Sequence, residues 1–471
     1  MGARVSVPEA VKAGQPAEAE FSESYKWFAL GLLLLVYIFN FIDRQILSVL
    51  QESIKHDLNL NDRDLGLISG VAFALFYATL GIPIARFADT ARRTWIIAAA
   101  LAMWSLMTAL CGAAVNFATL ALARVGVGVG EAGCSPPAHS LISDYFGPEK
   151  RATALSIYAL GIPIGVMFGY LAGGWINEFF GWRMAFVAVG APGIILALIV
   201  FIFLREPPRG MAEAQRIAAA AEAPPVREVF DTLWRSKSFR HLSIAAALHA
   251  FLGYGLGQWL PSFFIRSHGM STGELGTYLA LIAGLAGGLG TFLGGYLSDR
   301  YGQEDKRWYM WIPAIGMIIP IPLMIMAFLA DNPYTALLLY LIPALMGAFY
   351  LGPTFAMTQG LVGIRMRAVA ASILLFILNL IGLGLGPYAI GELSLFLSPT
   401  YGAESLRYAL LFSTIAYVWS SGHYLLAART INQDLARVAK ESEAAAPKVT
   451  ESIPQPPPHL KGTPDAQDPT K

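Results

Sequence analysis

A short charged turn occurs twice in this chain, about half a chain apart, each time between long apolar stretches. The first copy is Ala85-Arg86-Phe87-Ala88-Asp89-Thr90-Ala91-Arg92-Arg93. The second is Gly295-Tyr296-Leu297-Ser298-Asp299-Arg300-Tyr301-Gly302, followed by Lys306 and Arg307. A duplicated basic turn inside so apolar a sequence implies two homologous membrane halves. Two parallel halves around a central site are an architecture of alternating-access transporters.

Composition supports a membrane protein. Charged residues make up 14% of the chain and hydrophobic residues 55%, where a soluble domain carries roughly 25% charged residues. The formal net charge of +1 leaves no basic surplus for a nucleic-acid partner. Cys111 and Cys134 both fall in apolar stretches and read as small buried residues, not as a disulfide.

A helix needs about 20 apolar residues to cross the hydrocarbon. Such stretches lie at 27–50, 64–84, 95–115, 118–142, 152–177 and 184–204, and resume at 240–264, 275–298, 308–330, 334–357, 368–391 and 406–428. The sequence therefore predicts an all-α membrane protein with twelve transmembrane helices in two six-helix lobes, 27–205 and 240–430. Residues 1–26 form an N-terminal tail in this reading, polar and without the apolar core of a signal peptide. Residues 206–239, with two Pro-Pro pairs close by, read as a linker carrying short amphipathic helices on the membrane surface. The tail at 431–471 ends in a Pro-, Ala- and Glu-rich segment expected to be disordered.

Lys and Arg set the orientation. Arg86, Arg92 and Arg93 follow span two, Lys150 and Arg151 span four, Arg300, Lys306 and Arg307 span eight, and Arg365 and Arg367 span ten. Alternate loops are short or acid-containing, as at Asp57, Asp62 and Asp64. Both termini are thus expected on the cytoplasmic side of a plasma membrane, a bacterial inner membrane in the simplest case. A weaker echo supports duplication: Gly181-Trp182-Arg183-Met184-Ala185-Phe186 opens span six, and Glu404-Ser405-Leu406-Arg407-Tyr408-Ala409 opens span twelve. In span five, Gly161, Gly165, Gly169 and Gly173 recur every four residues and share one helix face. That face suits either helices that rock during transport or static close packing.

The chain resembles the major facilitator superfamily. Its loop pattern, G-x-L-x-D-R-x-G-R-R, matches the second turn through Gly295, Leu297, Asp299, Arg300 and Gly302. The first turn keeps Asp89 and Arg93 but has Ala85, Thr90 and Arg92 in place of Gly, Arg and Gly. Asn40-Phe41-Ile42-Asp43-Arg44, Arg124-Val125-Gly126-Val127-Gly128-Val129-Gly130-Glu131-Ala132, Ser135-Pro136-Pro137-Ala138 and Gly161-Ile162-Pro163-Ile164-Gly165 are similar to the spinster family within it. The resemblance implies export of lysolipids such as lysophospholipids and sphingosine-1-phosphate. It also implies a cytoplasmic gate at Asp89, Arg92, Arg93, Asp299 and Arg300.

Four ionisable residues lie inside N-half spans: Asp43 and Arg44 in span one, Arg124 and Glu131 in span four. Charges at the bilayer centre cost roughly 2.5–3.5 kcal/mol each on insertion scales and normally face a cavity or a partner. Arg124 and Glu131 are two turns apart on one face. The set is formally neutral, so one partner can be exchanged for a proton or a substrate head group. Arg44, Arg124 and Asn40 are the candidate head-group residues. Glu131, then Asp43, is the candidate proton carrier. A structural ion-pair network holding the two spans together is the alternative.

The C-half spans are nearly charge-free. Tyr254, Trp259, Tyr350 and Phe355 are its candidate substrate contacts. A charged face opposite an aromatic one suits an amphiphile. With the substrate class that the spinster resemblance implies, the expected function is secondary transport of lysolipid-like amphiphiles, driven by protons. Transport of small organic anions or drugs is the alternative. A non-transporting lipid receptor or enzyme lacks the nucleophile–base pair it would need. Gly126-Val127-Gly128-Val129-Gly130 lies within a span and lacks a Walker ending, which excludes a nucleotide loop. No cofactor is expected beyond the coupling proton, no His pair has metal-ligand spacing, and the chain is expected to act as a monomer in the bilayer.

Overall fold

The computed structural model describes residues 21–88, 90–209, 211 and 225–445. Among these residues all regular structure is helical. The N-terminal half runs α1 (Glu23–Leu58), α2 (Asp62–Gly66), α3 (Ala72–Ala88), α4 (Arg93–Cys111), α5 (Phe117–Glu131), α6 (Ser135–Tyr145), α7 (Pro148–Ala159) and α8 (Gly161–Phe203). After α9 (Val226–Arg235), the C-terminal half runs α10 (Lys237–His268), α11 (Thr272–Leu281), α12 (Gly288–Tyr301), α13 (Trp308–Ile318), α14 (Ile321–Leu329), α15 (Pro333–Gly347), α16 (Leu351–Gly360), α17 (Arg367–Ile377), α18 (Gly386–Tyr401), α19 (Ser405–Ser413) and α20 (Ile415–Ala445). Short π-helical turns at Leu67–Val71, Ile282–Gly287 and Leu378–Leu385 join successive segments into longer rods.

Local chemistry sets the helix ends. Asn61 and Asn116 each close a reciprocal capping box, with Asp64 and Thr119 as partners. Nine stretches among the described residues are long and apolar enough to cross a membrane. Two of them far exceed one crossing: Glu149–Phe203 has 55 residues and Arg367–Glu441 has 75. Each is broken by a glycine with positive φ, Gly181 at 80° and Gly402 at 56°. Only glycine adopts that backbone without strain. These two breaks sit at the openings of the paired echoes Trp182-Arg183 and Leu406-Arg407.

The lobes meet at one end. A single apolar cluster there runs unbroken from Leu47, Leu50 and Ile54 of α1 to Leu256, Trp259 and Phe263 of α10. The remaining N-terminal core, around Trp104, Tyr145 and Tyr158, consists almost wholly of N-terminal residues. Among the described residues, all hydrogen bonds and ion pairs joining the lobes lie on the side where α1 ends and α11 begins. Backbone contact is close there. A Cβ on Gly174 would collide with the Thr272 carbonyl, and one on Gly66 would lie 2.8 Å from the Pro387 carbonyl oxygen. At the opposite end, which carries the basic turns, no bond joins the lobes among the described residues.

The four-residue glycine face of α8 packs within its own lobe. Gly161, Gly165, Gly169 and Gly173 meet Tyr37, Ile38, Gln45 and Ile46 of α1, and a Cβ on Gly165 would lie 2.6 Å from the Ile38 carbonyl oxygen. It forms a close-packed seam between α8 and α1 within the N-terminal lobe. In the linker, α9 buries Val229 and Leu233 and leaves Phe230 and Trp234, stacked at 5.6 Å, exposed.

Candidate functional site

The centre of the N-terminal lobe holds the four expected charges on two helices. Asn40, Asp43 and Arg44 lie on α1, and Arg124 and Glu131 lie on α5. Arg44 Nε donates to Glu131 Oε2 at 2.5 Å. The Arg44 side chain keeps 16% of its surface exposed, whereas Glu131 keeps none. The arginine side chain is thus the partly accessible member of the pair. It lies over the rings of Tyr77 (4.4 Å), Phe41 (5.1 Å) and Phe73 (5.1 Å). Such contacts contribute roughly 0.5–2 kcal/mol each and fix the fork in place.

Arg124 sits behind this pair. It is 2% exposed, its Nη1 reaches the Asp43 carbonyl oxygen at 3.5 Å, and its guanidinium lies 5.3 Å from the Phe73 ring. Of the two arginines proposed against the substrate, Arg44 is the less enclosed. Asp43 is fully buried, its carboxyl group beside the Trp104 indole N–H and the Thr108 hydroxyl. The Asn40 side-chain amide lies beside the Glu131 carboxylate. Buried polar groups are rarely left unmet. Here they face one another in one enclosed cluster.

The facing C-terminal surface is aromatic. Tyr254 is 39% exposed and within electrostatic reach of Arg44 and Tyr77. Tyr350 is partly buried against His249, with ring centroids 3.8 Å apart, and Tyr417 also stacks on His249 at 5.0 Å. Phe355 is half-buried against the C-terminal core. Trp259 is elsewhere: fully buried, it donates from Nε1 to the Pro387 carbonyl at 2.7 Å inside the closed seam.

The expected gate residues are dispersed. Asp89 lies outside the described residues. Arg93 is buried in its own lobe, bonded to Asp144 at 2.5 Å, Glu206 at 2.6 Å, Ser140 at 2.8 Å and the Pro207 carbonyl at 3.1 Å. Arg92 turns outward over the Trp95 ring at 4.8 Å. Asp299 accepts from the Tyr309 hydroxyl at 2.7 Å, and Arg300 is exposed. None of these four bridges the lobes.

The lobes are joined instead by a network that the sequence reading did not single out. Arg266 of α10 forks onto Asp62, with both N–O distances 2.7 Å, and also reaches Glu52 at 2.7 Å. Lys55 and the Ser394 hydroxyl each bond Asp62 at 2.7 Å. Arg63 pairs with Glu392, and Glu178 accepts from the Gly273 N–H at 2.6 Å. Asp62 is thus held by both lobes at once. A signal existed: Arg266 and Glu52 lie just past the ends assigned to spans seven and one, and α10 and α1 continue through them.

The family model of the Major Facilitator Superfamily matches residues 33–387. The chain belongs to this superfamily. It is 36% identical over 390 residues to the MFS-type efflux pump of Mycolicibacterium smegmatis, covering 83% of this chain and 89% of that protein. It is 29% identical over 321 residues to protein spinster homolog 1 of Homo sapiens, covering 63% and 59%. A bacterial homolog of the human lysosomal transporter spinster, solved inward-facing and unoccupied, matches with a TM-score of 0.81 at 35% identity, over 88% of this chain and 99% of that one. The same homolog, inward-facing and occupied, matches with a TM-score of 0.77. This member of the superfamily is a spinster-like secondary transporter, an integral membrane protein and not an enzyme.

Proposed function

We propose that this transporter carries lysolipid-like amphiphiles with an anionic head group by proton-coupled alternating access. The observation that carries the reading is the partly accessible Arg44 side chain, held by a fully buried Glu131 and within electrostatic reach of Tyr254, beside which Tyr350 lies. An incoming phosphate or carboxylate competes with Glu131 for Arg44, whose planar fork suits both. Displaced, Glu131 loses its bonded cation and keeps only the more distant charge of Arg124, so taking a proton becomes more favourable. Substrate binding and protonation are coupled in this way. Arg124 balances charge from behind, and Asp43 is the second proton acceptor. The acyl chain lies along the aromatic face.

The framework for this cycle is twelve spans. The two longest apolar stretches each cross twice, turning at Gly181 and Gly402, and α10 adds a further span to the nine. The lobes are 27–205 and 240–430, joined by the linker at 206–239, in a protein that acts as a monomer. Both termini lie in the cytoplasm, following the placement of Lys and Arg. The joined end is then extracellular, and the state is inward-facing. In this account the Arg266–Asp62–Glu52 network is the extracellular gate.

Transport of small organic anions or drugs is the second reading, favoured by the similarity to an efflux pump. Competition in proteoliposomes separates the two. Uptake of labelled lysophospholipid should be inhibited by other lysolipids and indifferent to excess benzoate or a cationic dye. Inhibition by those small solutes alone transfers the function to the second reading.

A further inference from the structure

A cavity of about 660 Å³ opens on the outer face of the N-terminal lobe, away from the lobe interface, between the start of α1, the start of α4 and the end of α8. Arg92 and Arg205 line it together with Tyr25, Trp95 and Phe201. Its one carboxylate, Glu206, is already committed: Oε1 accepts from Arg93 and Oε2 from the Thr94 N–H. Arg92 and Arg205 are exposed and have no carboxylate partner among the described residues. Both are held by rings instead, Arg92 over Trp95 at 4.8 Å and Arg205 over Tyr25 at 5.4 Å. Tyr25 is pinned in turn, donating to the Phe203 carbonyl at 2.9 Å and accepting from the Arg205 N–H at 2.6 Å.

Just below the cavity, the outer face of α8 is apolar and bare: Leu198, Phe201, Ile202 and Phe203 are 58%, 54%, 59% and 53% exposed. In an integral membrane protein this face meets acyl chains. Two unneutralised, aromatic-backed arginines directly above a lipid-facing wall, at the helix ends where the chain enters its first span, lie at head-group depth. Arg92 is also the residue standing where the superfamily loop pattern has its second glycine, so the first turn carries a cation here that the second lacks.

We propose that this cavity is a binding site for an anionic phospholipid, its phosphodiester between Arg92 and Arg205 and its acyl chains on the outer face of α8. The site is separate from the central one and does not depend on what the central site carries.

Native mass spectrometry of the full chain in detergent tests it, with phosphatidylglycerol and phosphatidylcholine as probes. Wild type should retain phosphatidylglycerol more tightly by roughly fivefold per arginine, about 25-fold in all, the usual attraction of a basic side chain at the membrane surface. Arg92→Gln with Arg205→Gln should bring the two lipids level. Arg365→Gln with Arg367→Gln, two other exposed arginines of the basic loops, should keep the preference. Equal lipid preference in wild type, a preference retained in the first double variant, or an equal loss in the second overturns the proposal. So does displacement of phosphatidylglycerol by millimolar inorganic phosphate, which would mark a site for free anions. Neither Arg92 nor Arg205 anchors a core contact, so an unchanged melting temperature is the check that lost binding is not lost fold.

Discussion

Glu131→Gln should abolish the dependence of transport on an imposed pH gradient while leaving the folded protein intact. In wild type, coupling to one proton lets a gradient of one pH unit accumulate substrate about tenfold. The variant should equilibrate substrate and accumulate none. The amide can still accept a hydrogen bond from Arg44, and the three rings around the guanidinium remain. Substrate should therefore still bind, which separates loss of coupling from loss of the site. Accumulation is followed in proteoliposomes with labelled lysophospholipid. Wild-type accumulation in Glu131→Gln, with loss in Asp43→Asn, would move the proton role to Asp43. Normal behaviour in both, and in Arg44→Lys and Arg124→Lys, would make the cluster structural.

The second large effect belongs to the closed end. Arg266→Gln removes the guanidinium shared by Asp62 and Glu52, whose side chains are 5% and 7% exposed. Leaving buried carboxylates without their cation costs roughly 3–5 kcal/mol in the closed form. The open form, where both are hydrated, bears little of that cost. A shift of about 3 kcal/mol moves the equilibrium roughly a hundredfold toward outward-facing. Lys55 recovers part of it through Asp62. Spin labels at His56→Cys and Thr400→Cys, both exposed and on opposite lobes at this end, should report a longer separation in Arg266→Gln than in the parent. An unchanged distance distribution would remove Arg266 from the gate.

Much of the framework was legible because the bilayer imposes a period and a length that twenty apolar residues reveal directly. The central cluster was legible for the same reason: Asp43, Arg44, Arg124 and Glu131 are costly where they stand and need partners. Their pairing was not, because Arg44 and Arg124 look equivalent in sequence. Which one carries exposed surface depends on how α1 and α5 roll against Phe73, a packing outcome. The closed-end network was missed because Asp62 and Glu52 flank a span, where charges are ordinary and carry no insertion penalty. Trp259 was read as a cavity residue from its position in span seven, yet its indole N–H finds the Pro387 carbonyl within its own lobe. The first basic turn was read through its second copy. The extra arginine that breaks the pattern, Arg92, leans on Trp95 and faces outward instead of crossing to the other lobe.

The most direct test of substrate–proton coupling at Arg44 and Glu131 follows protons, not lipid. Proteoliposomes holding a pH-sensitive dye, with no imposed gradient, are given lysophospholipid from outside. Wild-type protein should shift the luminal pH as the lipid enters, Glu131→Gln should not, and both should bind the lipid. Lipid entry without any luminal pH change in wild type, or the same change in Glu131→Gln, would contradict the account.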